Sequence, residues 1–154
     1  MKVQVAKYGA RMCLVLLFAV AACGDSGAHA GSMAAADVGK LTVTNSACIY
    51  EGSSTHVAGA VTILLVDQTG GGFNLHMWVL DSSYPYADLA REFLTDHGTL
   101  RAHAQMTDSA SVKPGATQRF TTHFYAGTYA FHCVPLRDGS EYGVGYTAGP
   151  IRVT

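Results

Sequence analysis

Sulfur and imidazole are the side chains in this sequence best able to do chemistry. Cys133 ends a run, Gly127 to Cys133, in which Tyr129, Phe131 and Cys133 alternate with Thr128, Ala130 and His132. That period of two predicts a half-buried strand with the aromatics and the cysteine on its inner face. His76, His103, His123 and His132 are candidate imidazoles, and Met77 and Met106 are soft donors. A trigonal type 1 copper site takes two imidazoles, one thiolate and a weak axial donor. Cys133 offers a thiolate, and the histidines offer imidazoles. No histidine and no methionine follow Cys133 in the sequence.

Each candidate also has a plainer reading. His76 is equally readable as a partly buried, hydrogen-bonded histidine beside Trp78. His103 and Met106 are two donors at a spacing with little specificity, and they read as surface residues. His123 and His132 are expected on the outward faces of neighbouring strands, close together but solvated. No nucleophile–base arrangement and no pair of carboxylates stands out. Gly70-Gly71-Gly72 lacks the following Lys-Ser/Thr of a phosphate loop.

The elements that would position these residues are mostly strands. Leu41–Thr44 reads as the first, with Cys48–Tyr50 continuing it after a kink at Asn45-Ser46. Glu51–Ser54 is a turn. Val61–Val66 is a continuous apolar run, so a central strand covered on both faces is expected. Phe73–Asp81 is the next strand and carries His76. From Ser82 to Asp96 the period changes. Pro85 suits a first helical turn, Leu89, Ala90, Phe93 and Leu94 form one apolar face, and Gly98 follows as a cap. Thr99–Met106 reads as an irregular edge, and Val112–Gly115 as a turn. Thr117–Phe124 alternates, with Phe120, Thr122 and Phe124 inward. It is expected to pair with Thr128–Cys133 through a hairpin at Tyr125-Ala126-Gly127. Arg137–Gly149 is a glycine-rich loop and Pro150–Thr154 a closing strand.

With 154 residues the chain is long enough for one domain with a real core. A formal net charge of −1 gives no electrostatic footprint for nucleic acid. Only 14% of residues are charged and 17 are glycine, which suits a turn-rich β protein. The N-terminus has a different character. Lys2, Lys7 and Arg11 precede an apolar stretch, Met12–Ala22, that is too short to span a bilayer. Val20-Ala21-Ala22-Cys23 resembles the lipobox of bacterial lipoproteins. The resemblance implies a signal peptide over residues 1–22, acylation of Cys23 and stable anchoring through more than one acyl chain. Residues 23–40 are rich in Gly, Ala and Ser and read as a flexible tether, with His29 and Met33 solvated. Cys13 leaves with the signal and Cys23 takes lipid. Cys48 and Cys133 remain, an even pair in an oxidising compartment.

Gly127, Tyr129, Phe131, Cys133 and Pro135 together resemble the copper-loop strand of the cupredoxins, the plastocyanin and azurin superfamily. The resemblance covers roughly Leu41 to Thr154. It implies an all-β, Greek-key β-sandwich over residues 41–154, of about seven strands, with one short inserted helix. His76 stands where such domains place their first ligand histidine. The remaining ligand positions fall on Leu136 and Glu141 at plastocyanin-like spacing. With a longer loop they fall on Glu141 or Tyr142 and on Gly145-Tyr146. Both alignments remove the second histidine and the axial donor. Some cupredoxin-like domains of extracytoplasmic lipoproteins pair the cysteine of this strand with one near the domain start, and Cys48 is in that place. The resemblance therefore implies a Cys48–Cys133 disulfide, which takes away the thiolate.

The chain is thus expected to be a lipid-anchored cell-envelope protein on the extracytoplasmic side of a bacterial membrane. Its domain would be a binding or structural module, not an enzyme, with no type 1 copper site and no cofactor. An envelope protein or a small ligand would be its partner besides the membrane. The alternative is a copper-binding or electron-transfer protein with a rearranged ligand set. His76, Cys133, His123 and His132 are then the metal candidates.

Replacing Cys23 with Ser is expected to release the chain from the membrane fraction or mislocalise it. A Cys23→Ser chain that stays membrane-bound with an uncleaved signal contradicts the lipobox assignment.

Overall fold

The computed structural model describes residues 35–95 and 102–154. Cys23, the signal segment, most of the tether, His97 and Gly98 lie outside these residues. Among the described residues the chain forms two sheets packed face to face with one helix outside them. The first sheet contains β1 (Ala36–Val43), β2 (Cys48–Gly52), β4 (Gly59–Asp67) and β7 (Thr117–Phe124), in the order β2-β1-β4-β7. The second contains β3 (Thr55–His56), β5 (Phe73–Leu80), β6 (Ala104–Val112), β8 (Gly127–Arg137) and β10 (Tyr146–Val153), in the order β3-β10-β8-β5-β6. The short β9 (Ser140–Glu141) pairs with β8 alone. Both sheets are mixed, because β1 runs parallel to β4 and β10 parallel to β3. The expected all-β sandwich with one short helix is what forms. The strands β4 to β7 cross from one sheet to the other and back, and β7 returns beside β4, the expected Greek-key connectivity.

Alternation fills the space between the sheets. Leu41, Val61, Ile63, Leu65, Phe73, Leu75, Met77, Phe124, Tyr129, Phe131, Cys133 and Ile151 form one buried cluster. Phe124 and Tyr129 meet across it with ring centroids 4.7 Å apart.

Several sequence expectations need correction. β1 begins at Ala36 rather than Leu41. Ala36 already stands opposite Val61 of β4, and Asp37 forms an ion pair with Arg119, so Ala36–Lys40 belong to the sandwich and not to the tether. Cys48–Tyr50 does not extend the first strand but folds back antiparallel to it, Val43 opposite Cys48. Asn45-Ser46 is the turn, held by the Thr44 amide on the Ala47 carbonyl at 2.9 Å. β7 and β8 do not form a hairpin, because β7 pairs with β4 and β8 with β5 and β10. The sharp Tyr125–Gly127 connection changes sheets there, and the Tyr125 amide donates to the Tyr129 hydroxyl at 2.9 Å. Phe124 and Tyr129 then meet from facing sheets. There are ten strands among the described residues rather than about seven, two of them only two residues long. β6 is a regular nine-residue edge strand.

Helix α1 (Tyr86–Thr95) lies against the outer face of the second sheet. Leu89 and Phe93, one turn apart, pack with Leu80, Ala104 and Ala130 in a second cluster. Leu94 was expected on that apolar face but is 54% exposed. It follows Phe93 by about 100°, and only the Leu89–Phe93 stripe reaches the sheet. The helix explains why β8 is buried on both faces. Ala130 and His132, on the face opposite the aromatics and expected to be solvated, are covered, as is Val134.

A disulfide joins the two sheets, and a buried carboxylate ties together two loops at one end of them. Cys48 on β2 and Cys133 on β8 form a disulfide across the core, Cα atoms 6.0 Å apart and 85 residues apart in sequence. The chain-entropy model assigns a loop of that length about 4–5 kcal/mol as an upper value. Asp67, at the end of β4, is 5% exposed. Its Oδ1 accepts from the Thr69 amide at 3.0 Å and hydroxyl at 2.7 Å, and Oδ2 accepts from the Gly115 amide at 2.8 Å. Burial pushes the Asp67 pKa up, but these donors outweigh it and hold the carboxyl below its ordinary value of 3.8.

A carboxyl with a depressed folded pKa contributes stability above its unfolded pKa and loses it as the pH falls through the folded one. Asp67→Asn puts an NH₂ group or a weaker acceptor against donors, and is expected to cost about 1–3 kcal/mol at neutral pH. The difference from wild type should shrink below pH 3.8. Denaturant midpoints measured across that range check it.

Candidate functional site

The strongest grouping of titratable side chains lies on the outer face of the second sheet, where β5 and β8 place His76 opposite His132. Their ring centroids are 5.7 Å apart. His132 is 4% exposed and stacks on Phe93 of the helix at 3.8 Å with an interplanar angle of 16°. Gly145 lies against the Nε2 edge of the imidazole. A methyl group built on it would overlap His132 Nε2, so glycine here makes room for the ring.

Glu141 completes the group. Asp138 (φ 53) and Gly139 (φ 77) turn the chain in a two-residue hairpin between β8 and β9, the conformation that favours Asp-Gly. The turn brings Glu141 opposite Leu136 and over the sheet. Its Oε1 accepts from Asn74 Nδ2 at 2.9 Å and lies 3.7 Å from His76 Nε2. Asn74 Oδ1 in turn accepts from the Ser111 hydroxyl at 2.6 Å. The three polar side chains Ser111, Asn74 and Glu141 fix one another in an exposed row beside His76.

Cys133 does not join this group. It is one residue from His132 on β8, so its side chain points to the opposite face, where it is fully buried and bonded to Cys48. The expected closeness of His123 and His132 is also overturned. His123 is on β7 of the first sheet, exposed, with its ring 4.7 Å from that of Tyr125. The four metal candidates therefore fall in three places. Only His76 and His132 are brought together, and no group of three or more His, Cys, Asp or Glu side chains among the described residues is arranged to hold a metal ion. A type 1 copper centre does not fit these residues: the sulfur is in a disulfide and lies on the wrong face of its strand.

Beside the group, Tyr84 stacks on His103 at 4.7 Å and donates its hydroxyl to Glu92. The hydrogen bond to the Glu92 carboxylate, with some burial, pushes the Tyr84 pKa up to about 12.

A cleft that sequence reasoning missed opens at the end of the sandwich where β1, β4 and β8 finish. Its volume is about 570 Å³ and its lining includes Asn45, Thr69, Arg137, Asp138, Tyr142 and Tyr146. The Arg137 guanidinium sits 3.9 Å over the Tyr142 ring. The Tyr146 hydroxyl donates to the Asn45 carbonyl at 2.9 Å and ties the last strand to the first hairpin. The available signal was the pair of tyrosines set among the glycines of residues 139–149.

Comparison with protein-family profiles and with curated proteins finds no match to the chain.

Gly145 carries no positive φ, so Gly145→Ala brings a small entropic gain from the unfolded chain. Overpacking against His132 should outweigh it, with a net loss of about 1–3 kcal/mol. The denaturation midpoint and the His132 ring-proton shift, which reports stacking on Phe93, both check this.

Proposed function

We propose that this protein is a lipid-anchored cell-envelope protein, held through Cys23 on the extracytoplasmic side of a bacterial membrane, whose cupredoxin-like β-sandwich serves as a binding or structural module without a type 1 copper centre. The observation that carries the reading is the position of Cys133. Its sulfur is bonded to Cys48 within the core, on the face of β8 opposite His76 and His132. No rotamer change brings that sulfur and those imidazoles to one ion, since the β-pleat sends adjacent side chains to opposite sides. The cleft at the far end of the sandwich, with its tyrosines and Arg137, is the binding surface that suits such a module. Its residue types fit a small polar or aromatic ligand, or a loop of an envelope protein.

A second reading, copper binding through a rearranged ligand set, rests on one specific observation. Glu141 occupies a position where the cupredoxin resemblance puts a missing ligand, and it lies 3.7 Å from His76. His76 and Glu141 would begin such a set, which would contain no thiolate.

Adding copper to the purified protein, oxidised and then reduced, separates the two. The expected result is no free thiol from Cys48 or Cys133 in the denatured, unreduced chain, no intense absorption near about 600 nm, where Cu–thiolate charge transfer falls in sites of this type, and no change in any weak copper binding on His76→Ala. Intense visible absorption overturns the proposal. Stoichiometric copper binding that His76→Ala abolishes selects the second reading.

A further inference from the structure

We propose that the end of the sandwich bearing Val57 and Tyr125 rests on the bilayer surface and that the cleft faces away from it. This rests on the reading of Cys23 as the lipid site.

Val57 is 77% exposed and Tyr125 66%, the two highest values among the large hydrophobic side chains described. Both are at one end. Gly59, where β4 begins, stands opposite Phe124, where β7 finishes, so the loops that hold Val57 and Tyr125 leave the first sheet side by side. The same end receives the chain from Cys23. β1 is parallel to β4, and its first residue, Ala36, stands opposite Val61 near the start of that strand. The segment from Cys23 to Ala36 spans at most about 45 Å when fully extended. The chain therefore enters the sandwich at the end with Val57 and Tyr125. The cleft, lined by Asn45 just beyond β1 and by Thr69 just beyond β4, is about 25 Å further on, the length of an eight-residue strand.

The residues suit a lipid surface better than water. Tyrosine places an apolar ring with a polar tip at the headgroup level, and valine adds aliphatic area beneath it. Both are presented on fixed backbone. The Tyr125 amide is held by the Tyr129 hydroxyl, and the Ala58 amide by the Thr154 carbonyl at 2.9 Å. His123 lies beside Tyr125, and His56 beside Val57 contacts Tyr50 and Phe124. Of the acids toward this end, Asp37 pairs with Arg119, Asp81 lies 3.8 Å from His103, and Asp108 accepts from the Thr122 hydroxyl at 2.7 Å. No cluster of unpaired carboxylates among the described residues would repel an anionic membrane from this end.

The test uses the full acylated chain in phosphatidylethanolamine–phosphatidylglycerol vesicles containing brominated acyl chains. Tyr125→Trp, Val57→Trp and Tyr142→Trp are compared with the wild-type chain, whose one tryptophan is Trp78. The expected result is at least about twofold quenching of the added fluorescence at positions 125 and 57 and none at 142, at the cleft end. Absence of quenching at both 57 and 125 in protein that floats with the vesicles overturns the proposal, as does quenching at 142 alone. A blue shift at 57 and 125 that bromine does not quench, and that grows with protein density, assigns the surface to a second copy and also overturns it. Flotation of wild type and Cys23→Ser separates this failure from failure of the anchor. If Cys23→Ser floats as well as wild type, or if wild type does not float, the lipid reading is wrong and the orientation falls with it.

Discussion

Burial of one strand on both faces requires two separate covers, and that requirement shapes the molecule. β8 runs through the middle of the second sheet with Tyr129, Phe131 and Cys133 on one side and Ala130, His132 and Val134 on the other, all buried. The first cover is the opposing sheet, brought close by β2 through its disulfide and by the cross-core contacts of Phe124 and Tyr50. The second is the helix between β5 and β6, whose Phe93 lies on His132 and beside Trp78. Burial of apolar area is the main favourable term in folding, and most of it here is organised around β8.

The pleat also divides the chemistry. Sulfur and imidazole are neighbours in sequence at 132 and 133 and are separated in space by the sheet itself. The core side holds the unreactive partner, a sulfur already oxidised and sealed from water. The outer side holds the polar row Ser111, Asn74, Glu141 and His76, partly open to solvent. The turn at Asp138-Gly139 decides what stands beside His76, because it sets the register of Glu141 against Leu136.

Much of this was legible in the residues. The alternation of Tyr129, Phe131 and Cys133 gave the inner face of β8, the period change after Ser82 gave the helix, and the even count of Cys48 and Cys133 left a pair for the cross-link that the cupredoxin resemblance implied. What was not legible depended on contacts distant in sequence. His132 reads as an outward residue from local alternation, and only the packing of Phe93, far away in sequence, buries it. The Tyr125–Gly127 connection carries the signal of a hairpin, yet the core contact of Phe124 with Tyr129 makes it a crossing between sheets. Asp37 and Val38 sit in a segment of tether-like composition, and their partners Arg119 and Tyr50 recruit them to a strand. The cleft was missed because its walls come from four separate connections, none of which has a periodicity to read.

The order of the two cysteines has a consequence for biogenesis. Ribosomes deliver Cys48 85 residues before Cys133, so the β1–β2 hairpin can form long before β8 exists to receive its thiol. During that interval Cys48 is a single unpaired sulfur on a short hairpin whose apolar face has nothing to cover it. Small oxidants and other thiols reach it more easily then than at any later time. The closing event is non-local, joining residues 85 apart in sequence. A cell short of disulfide-forming capacity would leave Cys48 and Cys133 as free thiols, without the covalent link between the two sheets.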